Sequence, residues 1–403
     1  MNLLAANKSP HLITLILLTA ASVLSLNMFL PSLTSMADEF NVSYKVMNIS
    51  VAGYLAITAV LQIIFGPLSD RYGRRPVLLM GLLIFSLASL CCALATNIWV
   101  FLILRIFQGA IISGMALSRV IVRDMMDPKD AVKIMGTIAM AMAVAPMLGP
   151  IVGGLFDELL GWRATFWFYL ILGLLLLILT WLDLGETNKN PSPTFRKQFS
   201  TYPLLLKSGM FWGYSICASF GIACFFAFLS GAPLISNKIL NLPPSHLGFY
   251  MGSITGAFLV GSFVSNLFIN RVGPVNMVIY GRAISVLGLL AGLIAVLSGI
   301  ISPLSIFGAT LFIGLGNGMS LPSCNVGVMN VKPDLAGSAS GLNGAMGVGT
   351  GALLTTIMGV LLTESNGAYG FLTFLLVAKL ISLLAALYIY YLDKKIQNSN
   401  HPS

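Results

Sequence analysis

Long apolar runs alternate with short polar breaks along this chain. Twelve runs of about twenty residues can be marked: Leu12–Leu33, Val46–Leu68, Val77–Ala95, Trp99–Val122, Ala131–Phe156, Thr165–Leu184, Phe211–Ile235, Leu247–Phe268, Val275–Leu297, Leu304–Val328, Leu335–Leu362 and Tyr369–Leu392. Each is long enough to cross roughly 30 Å of hydrocarbon. Helices are expected, because the bilayer core offers an open backbone no water. Most breaks span only a few residues, so consecutive runs are antiparallel neighbours. The longest polar stretch, Gly185 to Lys207, carries Pro191, Pro193 and four basic residues and reads as a linker. The expected architecture is an all-α membrane protein of twelve transmembrane helices in two six-helix bundles, residues 1–184 and 208–403, joined by residues 185–207.

Composition closes off the alternatives. A mean hydropathy of +0.92, with 57% hydrophobic and 9% charged residues, excludes a soluble globular protein. The net charge of +9 could indicate nucleic acid, but the basic residues sit in the breaks between runs. With the N-terminus inside, Lys8, Arg71, Arg74, Arg75, Arg119, Arg123, Lys129, Lys133, Lys189, Arg196, Lys197, Lys207, Arg271, Lys332, Lys394 and Lys395 are cytoplasmic. Only Lys45, Arg163 and Lys238 are outside. That asymmetry sets both termini in the cytoplasm. The run after Lys8 could pass for a signal peptide; its length and the eleven runs that follow favour an uncleaved first helix.

The five cysteines form no framework. Cys91 and Cys92 are adjacent, Cys217 and Cys224 lie two turns apart on one helix, about 10 Å along its axis, and Cys324 stands alone. All read as small packing residues. Three histidines (His11, His246, His401) offer no metal-spaced set. No nucleotide-binding loop or nucleophile–base arrangement is visible, so neither a cofactor, a metal site nor an enzyme activity is expected.

The break after the second run reads Gly66-Pro-Leu-Ser-Asp70-Arg71-Tyr-Gly73-Arg74-Arg75. It resembles the signature loop Gly-x-Leu-Ala-Asp-Arg-x-Gly-Arg-Lys between helices 2 and 3 of the major facilitator superfamily. Leu68, Asp70, Arg71, Gly73 and Arg74 match in register. Asn270-Arg-Val-Gly273 echoes it at the equivalent place in the second half, as parallel repeats would. The fifth run holds Pro146, Gly149, Pro150 and Gly153, where prolines bend a helix and glycines allow close packing. This stretch resembles the antiporter signature Gly-Pro-x-x-Gly-Gly. Gly248, Gly252 and Gly256 in the eighth run offer a complementary face, and the resemblance implies a sliding seam between these helices. It also implies a latch in which Asp70 faces the N-terminus of the eleventh helix, after Pro333, with Arg71, Gly73 and Arg74 completing the gating loop.

Arg105-Ile-Phe-Gln108-Gly resembles a further superfamily signature built on a buried arginine. Such an arginine faces a cavity or a partner, or else hydrogen-bonds to carbonyls of a neighbouring helix. Ser118-Arg119-Val-Ile-Val-Arg123-Asp124, with Leu30-Pro31-Ser32-Leu33, Gly161-Trp162-Arg163 and Ala336-Gly-Ser-Ala-Ser340, is similar to the Bcr/CflA branch of drug-efflux facilitators. That likeness implies a bacterial inner-membrane exporter of small molecules, coupled to protons. A membrane lipid environment, a small-molecule substrate and a monomer are expected, and no nucleic acid. In one respect the chain departs from the branch, with Asn27 where an aspartate is common.

All thirteen acidic residues fall in loops or at helix ends, while Arg105, Arg282 and Lys379 lie within runs. The interior is therefore cationic or neutral, and acid-based proton coupling is in question. Lys379, about 15 Å deep, either snorkels along a lipid-facing side or occupies a cavity or interhelix position. A buried lysine can lose its proton near neutral pH and so act as the titrating group. Asn27, Tyr54, Arg105, Gln108 and Lys379 are the candidate substrate and coupling residues. Two readings follow: multidrug efflux by proton antiport, or dedicated export of an anionic metabolite such as a carboxylate siderophore.

Overall fold

The computed structural model describes residues 10–125, 145–188, 202–332, 335–363 and 367–400. Among these, the chain is helical throughout and shows no strand. The spans are α1 (Leu12–Glu39), α2 (Tyr44–Tyr72), α3 (Arg74–Leu94), α4 (Ile98–Val122), α5 (145–160 in the described part), α6 (Arg163–Asp183), α7 (Gly209–Ile239), α8 (Pro244–Val272), α9 (Pro274–Leu297), α10 (Leu304–Asn330), α11 (Ala336–Leu361) and α12 (Gly367–Asn400). Eleven of the described helices are long and apolar enough to span a bilayer. With the described part of α5 they make a twelve-helix fold.

Several spans outrun the hydropathy pattern. α1 continues past Leu33 because Pro31 only tightens it into a 3-10 turn at Leu30–Ser32, after which the helix resumes to Glu39. A missing donor at Pro31 is tolerated where a short 3-10 stretch reroutes the hydrogen bonds. Pro233 acts similarly in α7, which ends in a π turn at Ile235–Ile239.

The helices divide into two compact units, Met1–Phe195 with Pro243–Gly252, and Arg196–Leu242 with Ser253–Ser403. In the first unit α1 packs on α4 and α3 on α6; in the second α7 packs on α10 and α9 on α12. The same order of neighbours in each unit matches a parallel repeat. The turns agree in detail: Gly73 (φ +96) and Gly273 (φ +83) each end one helix and start the next, each donating its N–H four residues back, to Ser69 and Ile269. A positive φ is open to glycine at little cost, which explains glycine at both points.

Polarity is inverted relative to a water-soluble bundle. Leu83, Leu87, Leu94, Ile103, Phe107 and Leu175 are exposed, while Ser22, Ser25, Ser86, Ser89, Ser113 and Ser118 are buried. Apolar surface faces hydrocarbon, and small hydroxyl side chains let helices approach while bonding to their own carbonyls, as Ser86 does to Leu82 and Ser89 to Phe85.

Candidate functional site

In the first unit, α4 carries Arg105 to full burial. Its guanidinium carbon lies 4.1 Å from the centre of the Phe29 ring, 4.5 Å from Tyr54 and 5.9 Å from Phe166. Nη1 donates to Gln108 Oε1 at 2.6 Å, one turn along the same helix, and at 3.4 Å to the Ser25 carbonyl. Gln108 in turn donates to Ser89 at 2.7 Å. Nε and Nη2 find no hydrogen-bond acceptor among the described residues. Ring faces take that role, and a desolvated cation–π contact is worth about 2 kcal/mol. Tyr54 is buried and hydrogen-bonded to Ser25. Both alternatives raised by the sequence are therefore partly met: Arg105 does reach a neighbouring carbonyl, but an aromatic cage holds it.

Asn27 is buried at the end of the first helical segment of α1, and its Nδ2 donates to the Val23 carbonyl at 2.9 Å. Its Oδ1 has no hydrogen-bond partner among the described residues. The turn between α2 and α3 is held by two acids. Asp70 pairs with Arg74 at 2.5 Å, and Arg74 Nη1 also donates to Ser69 Oγ at 2.6 Å. Glu186, beyond α6, accepts from the backbone N–H groups of Arg74 at 2.9 Å and Arg75 at 3.2 Å. Asn188 donates to the Asp70 carbonyl at 2.8 Å. Within this unit, then, the carboxylate seated on the N-terminus of α3 is Glu186. An anion there offsets the unpaired amides and the helix dipole. A methyl group at Gly73 would overlap the Glu186 carboxylate. Arg71 lies over the Tyr72 ring at 5.2 Å. The side chains of Arg119, Arg123 and Asp124, on the last turns of the helix Ile112–Met125, lie outside the described set, as do Pro333 and Asp334.

The glycines of α5 are seated differently from the sequence expectation. A methyl at Gly149 would lie 3.2 Å from Leu24, and one at Gly153 would overlap the Met28 carbonyl, so this face packs on α1. It is Gly154 that meets the start of α8, at Pro244. In return a methyl at Gly252 would lie 2.5 Å from the Met147 carbonyl, and one at Gly248 would overlap that of Pro150. At Gly256 a methyl would meet nothing within 4 Å. The period of the glycines was legible; which face met which helix was not, because nearly every face of such a helix is apolar.

The second unit holds the richer polar cluster. Arg282 on α9 and Lys379 on α12 are both fully buried. Arg282 Nη1 and Lys379 Nζ donate to the same atom, Asn317 Oδ1 on α10, at 2.5 and 2.7 Å, so the two nitrogens are within about 5 Å. Two full charges so placed would repel by about 3 kcal/mol at an effective dielectric near 20. Asn317 Nδ2 donates at 2.9 Å to the Gly221 carbonyl on α7, which fixes the amide orientation. Gly221 also makes room, since a methyl there would lie 2.5 Å from the guanidinium nitrogens. Lys379 thus occupies an interhelix position and does not snorkel.

Sequence reasoning missed two members of this cluster. Asn317 was visible as an amide in mid-run, Gly314-Leu-Gly-Asn-Gly318. Cys217 is more than a packing residue, for Arg282 Nε approaches its Sγ at 3.4 Å. Nor is Cys324 alone: its Sγ lies 3.7 Å from that of Cys217. Among the described residues the ion pairs join His11 to Asp183, Arg74 to Asp70 and Arg163 to Glu39, and none reaches Arg105, Arg282 or Lys379.

A twelve-helix membrane fold in two like units, with cations buried on its helices, defines a polytopic protein of the transporter type. The chain belongs to the Major Facilitator Superfamily, whose family model matches residues 15–356. Among its relatives, the bicyclomycin resistance protein homolog of Haemophilus influenzae is 26% identical, over 86% of this chain and 88% of that protein. The multidrug resistance protein D of Escherichia coli K12 is 27% identical, over 90% and 91%. These bear out the resemblance to the Bcr/CflA branch. A solved bacterial homologue of the human lysosomal transporter Spinster shares the fold, with a TM-score of 0.75 over 95% of this chain and 96% of that one, at 14% identity.

Proposed function

We propose that this protein exports small organic molecules, drug-sized compounds among them, from a bacterial cell across the inner membrane, by alternating access coupled to protons. Both termini lie in the cytoplasm, as the lysine and arginine distribution favours. The drug-resistance names of its relatives support the substrate class. The observation that carries the reading is the ionisable Lys379, at full burial in a spanning helix and sharing its acceptor with buried Arg282. Such groups are expensive in a membrane and mark substrate or ion pathways.

Proton exchange falls to Lys379. No carboxylate lies near it among the described residues, and it shares its acceptor with an arginine that stays charged. Asp70 and Arg74, with Glu186, govern the turn that gates the cycle, and the glycines Gly153 and Gly252 keep α1, α5 and α8 close enough to move against each other.

The test is uptake into inverted membrane vesicles over a pH series, with one cationic drug and one anionic probe. Drug uptake driven by an acid-inside gradient supports the proposal. Uptake of neither probe, with unchanged drug susceptibility in a deletion strain, would sink it. A second reading, export of an anionic metabolite, is favoured by the paired cations around Asn317; uptake of the anionic probe alone would select it.

A further inference from the structure

The second unit encloses an arginine without a carboxylate. Arg282 is wholly buried, and a guanidinium keeps its charge under any cellular condition. Its Nη1 is satisfied by a neutral amide that it shares with Lys379, and its Nη2 has no hydrogen-bond partner among the described residues. What remains is Nε, and Nε points at sulfur.

That sulfur is unusual in what surrounds it. Cys217 Sγ receives Arg282 Nε at 3.4 Å from α9 and Cys324 Sγ at 3.7 Å from α10. Ser382 Oγ on α12 lies 3.7 Å from the same sulfur but spends its one hydrogen on the Cys217 backbone carbonyl at 2.7 Å, which fixes that residue in place. A neutral thiol is a weak acceptor, and a guanidinium and a second thiol would not be expected to be aimed at one. A thiolate accepts several, and a cation beside it stabilises the charge. The other ionisable groups nearby are Lys379, across Asn317, and on α7 Tyr214, one turn from Cys217, and Cys224, two turns from it on the side of Lys379. Among the described residues no carboxylate bonds to this sulfur.

We propose that Cys217 is a thiolate, and that it is the counter-anion of Arg282 at the centre of the second unit. The proton balance is simple: Sγ–H of Cys217 and the free amine of Lys379 become Sγ⁻ and the ammonium, and no electron moves. With the thiolate and guanidinium cancelling, the cluster carries one exchangeable proton, on Lys379. Cys324 keeps its proton and donates it towards Cys217. The cluster then needs no carboxylate to be electrically tolerable in the membrane.

The experiment uses the full-length protein in detergent or nanodiscs. Ultraviolet thiolate absorbance at neutral pH should fall by one thiolate per chain in Cys217→Ser, and be lost likewise in Arg282→Gln, where the thiol remains but its cation is gone. Infrared S–H stretching is the second measurement, independent of the first. If Cys217 carries no hydrogen, Cys217→Ser leaves the S–H intensity of wild type unchanged. A drop of one in five cysteines, with an unchanged ultraviolet spectrum, overturns the proposal. In transport, Cys217→Ser should lose about tenfold or more, equivalent to ~1.4 kcal/mol, and Cys217→Asp should recover most of it by restoring a negative charge. Aspartate no better than serine also counts against the proposal. The two spectra need no substrate, so they decide the state of Cys217 even if the export reading fails.

Discussion

Arg105 and Arg282 are both fully buried cations on spanning helices, and the two units accommodate them by opposite means. Arg105 sits among three ring faces, and its one side-chain acceptor is Gln108, a residue of its own helix. Arg282 reaches across to α10 and α7, and shares its acceptor with a second amine. A ring face is a fixed acceptor with no proton to exchange. An amine on a shared amide can gain or lose a proton and so change the electrostatics of four helices at once. Burying a charge therefore does not by itself mark a coupling site; the neighbours decide. On the function proposed for this protein, the first unit's cation serves structure and the second unit's pair serves proton exchange.

The largest effect is expected from removing the caged cation. Arg105→Ala leaves Gln108 Oε1 without its donor and opens a cavity among Phe29, Tyr54 and Phe166. A loss of about 3–5 kcal/mol follows from the unsatisfied amide together with the cavity, read as a fall in unfolding temperature in detergent and in membrane yield. If Arg105→Ala is as stable as wild type, the cage is not structural and the contrast between the units collapses.

Next comes Asn317→Leu, which leaves two cations about 5 Å apart with no shared acceptor. It should cost roughly 2–4 kcal/mol, on the scale of the repulsion between two such charges. Asn317→Asp should act oppositely, raising thermal stability while slowing transport, since a carboxylate there would hold Lys379 charged. A faster Asn317→Asp transporter would contradict that assignment.

Lys379→Met should leave stability near wild type but flatten the pH profile of vesicle uptake. An unaltered profile would return the lysine to a packing role.

Smaller effects are expected at the repeated turns. Gly73→Ala and Gly273→Ala both force a side chain into a backbone region open essentially to glycine alone (φ +96, ψ 153 and φ +83, ψ 156), at about 1–3 kcal/mol each. Only Gly73→Ala also displaces Glu186, whereas a methyl at Gly273 meets open space. A further ~1 kcal/mol is expected at Gly73 for the lost helix cap, and transport should fall only there. Equal effects at both turns would mean that Glu186 is not gripping α3. Smallest of all, Gly256→Ala should be near neutral, with a rise in unfolding temperature of a degree or two at most.

What the sequence determined by itself was local. Apolar runs, short breaks and paired glycines at 73 and 273 read directly as twelve spans and two like turns, because span length and turn geometry depend on residues adjacent in the chain. Arg105 and Gln108 were legible as members of one short motif, but not as hydrogen-bond partners. Tertiary structure alone decided the rest. Cys217 and Ser382 are 165 residues apart and hydrogen-bonded; Lys379 meets Asn317 from 62 residues away. Helix packing sets such contacts, and the rotation of each helix about its axis is not encoded in hydropathy when nearly every face is apolar. The same degeneracy hid the seating of Gly149 and Gly153 on α1. In water, the polar face of a helix announces its inside. In a membrane both faces are apolar, so only packing distinguishes the side that touches lipid from the side that holds Arg282, Lys379 and the sulfur of Cys217.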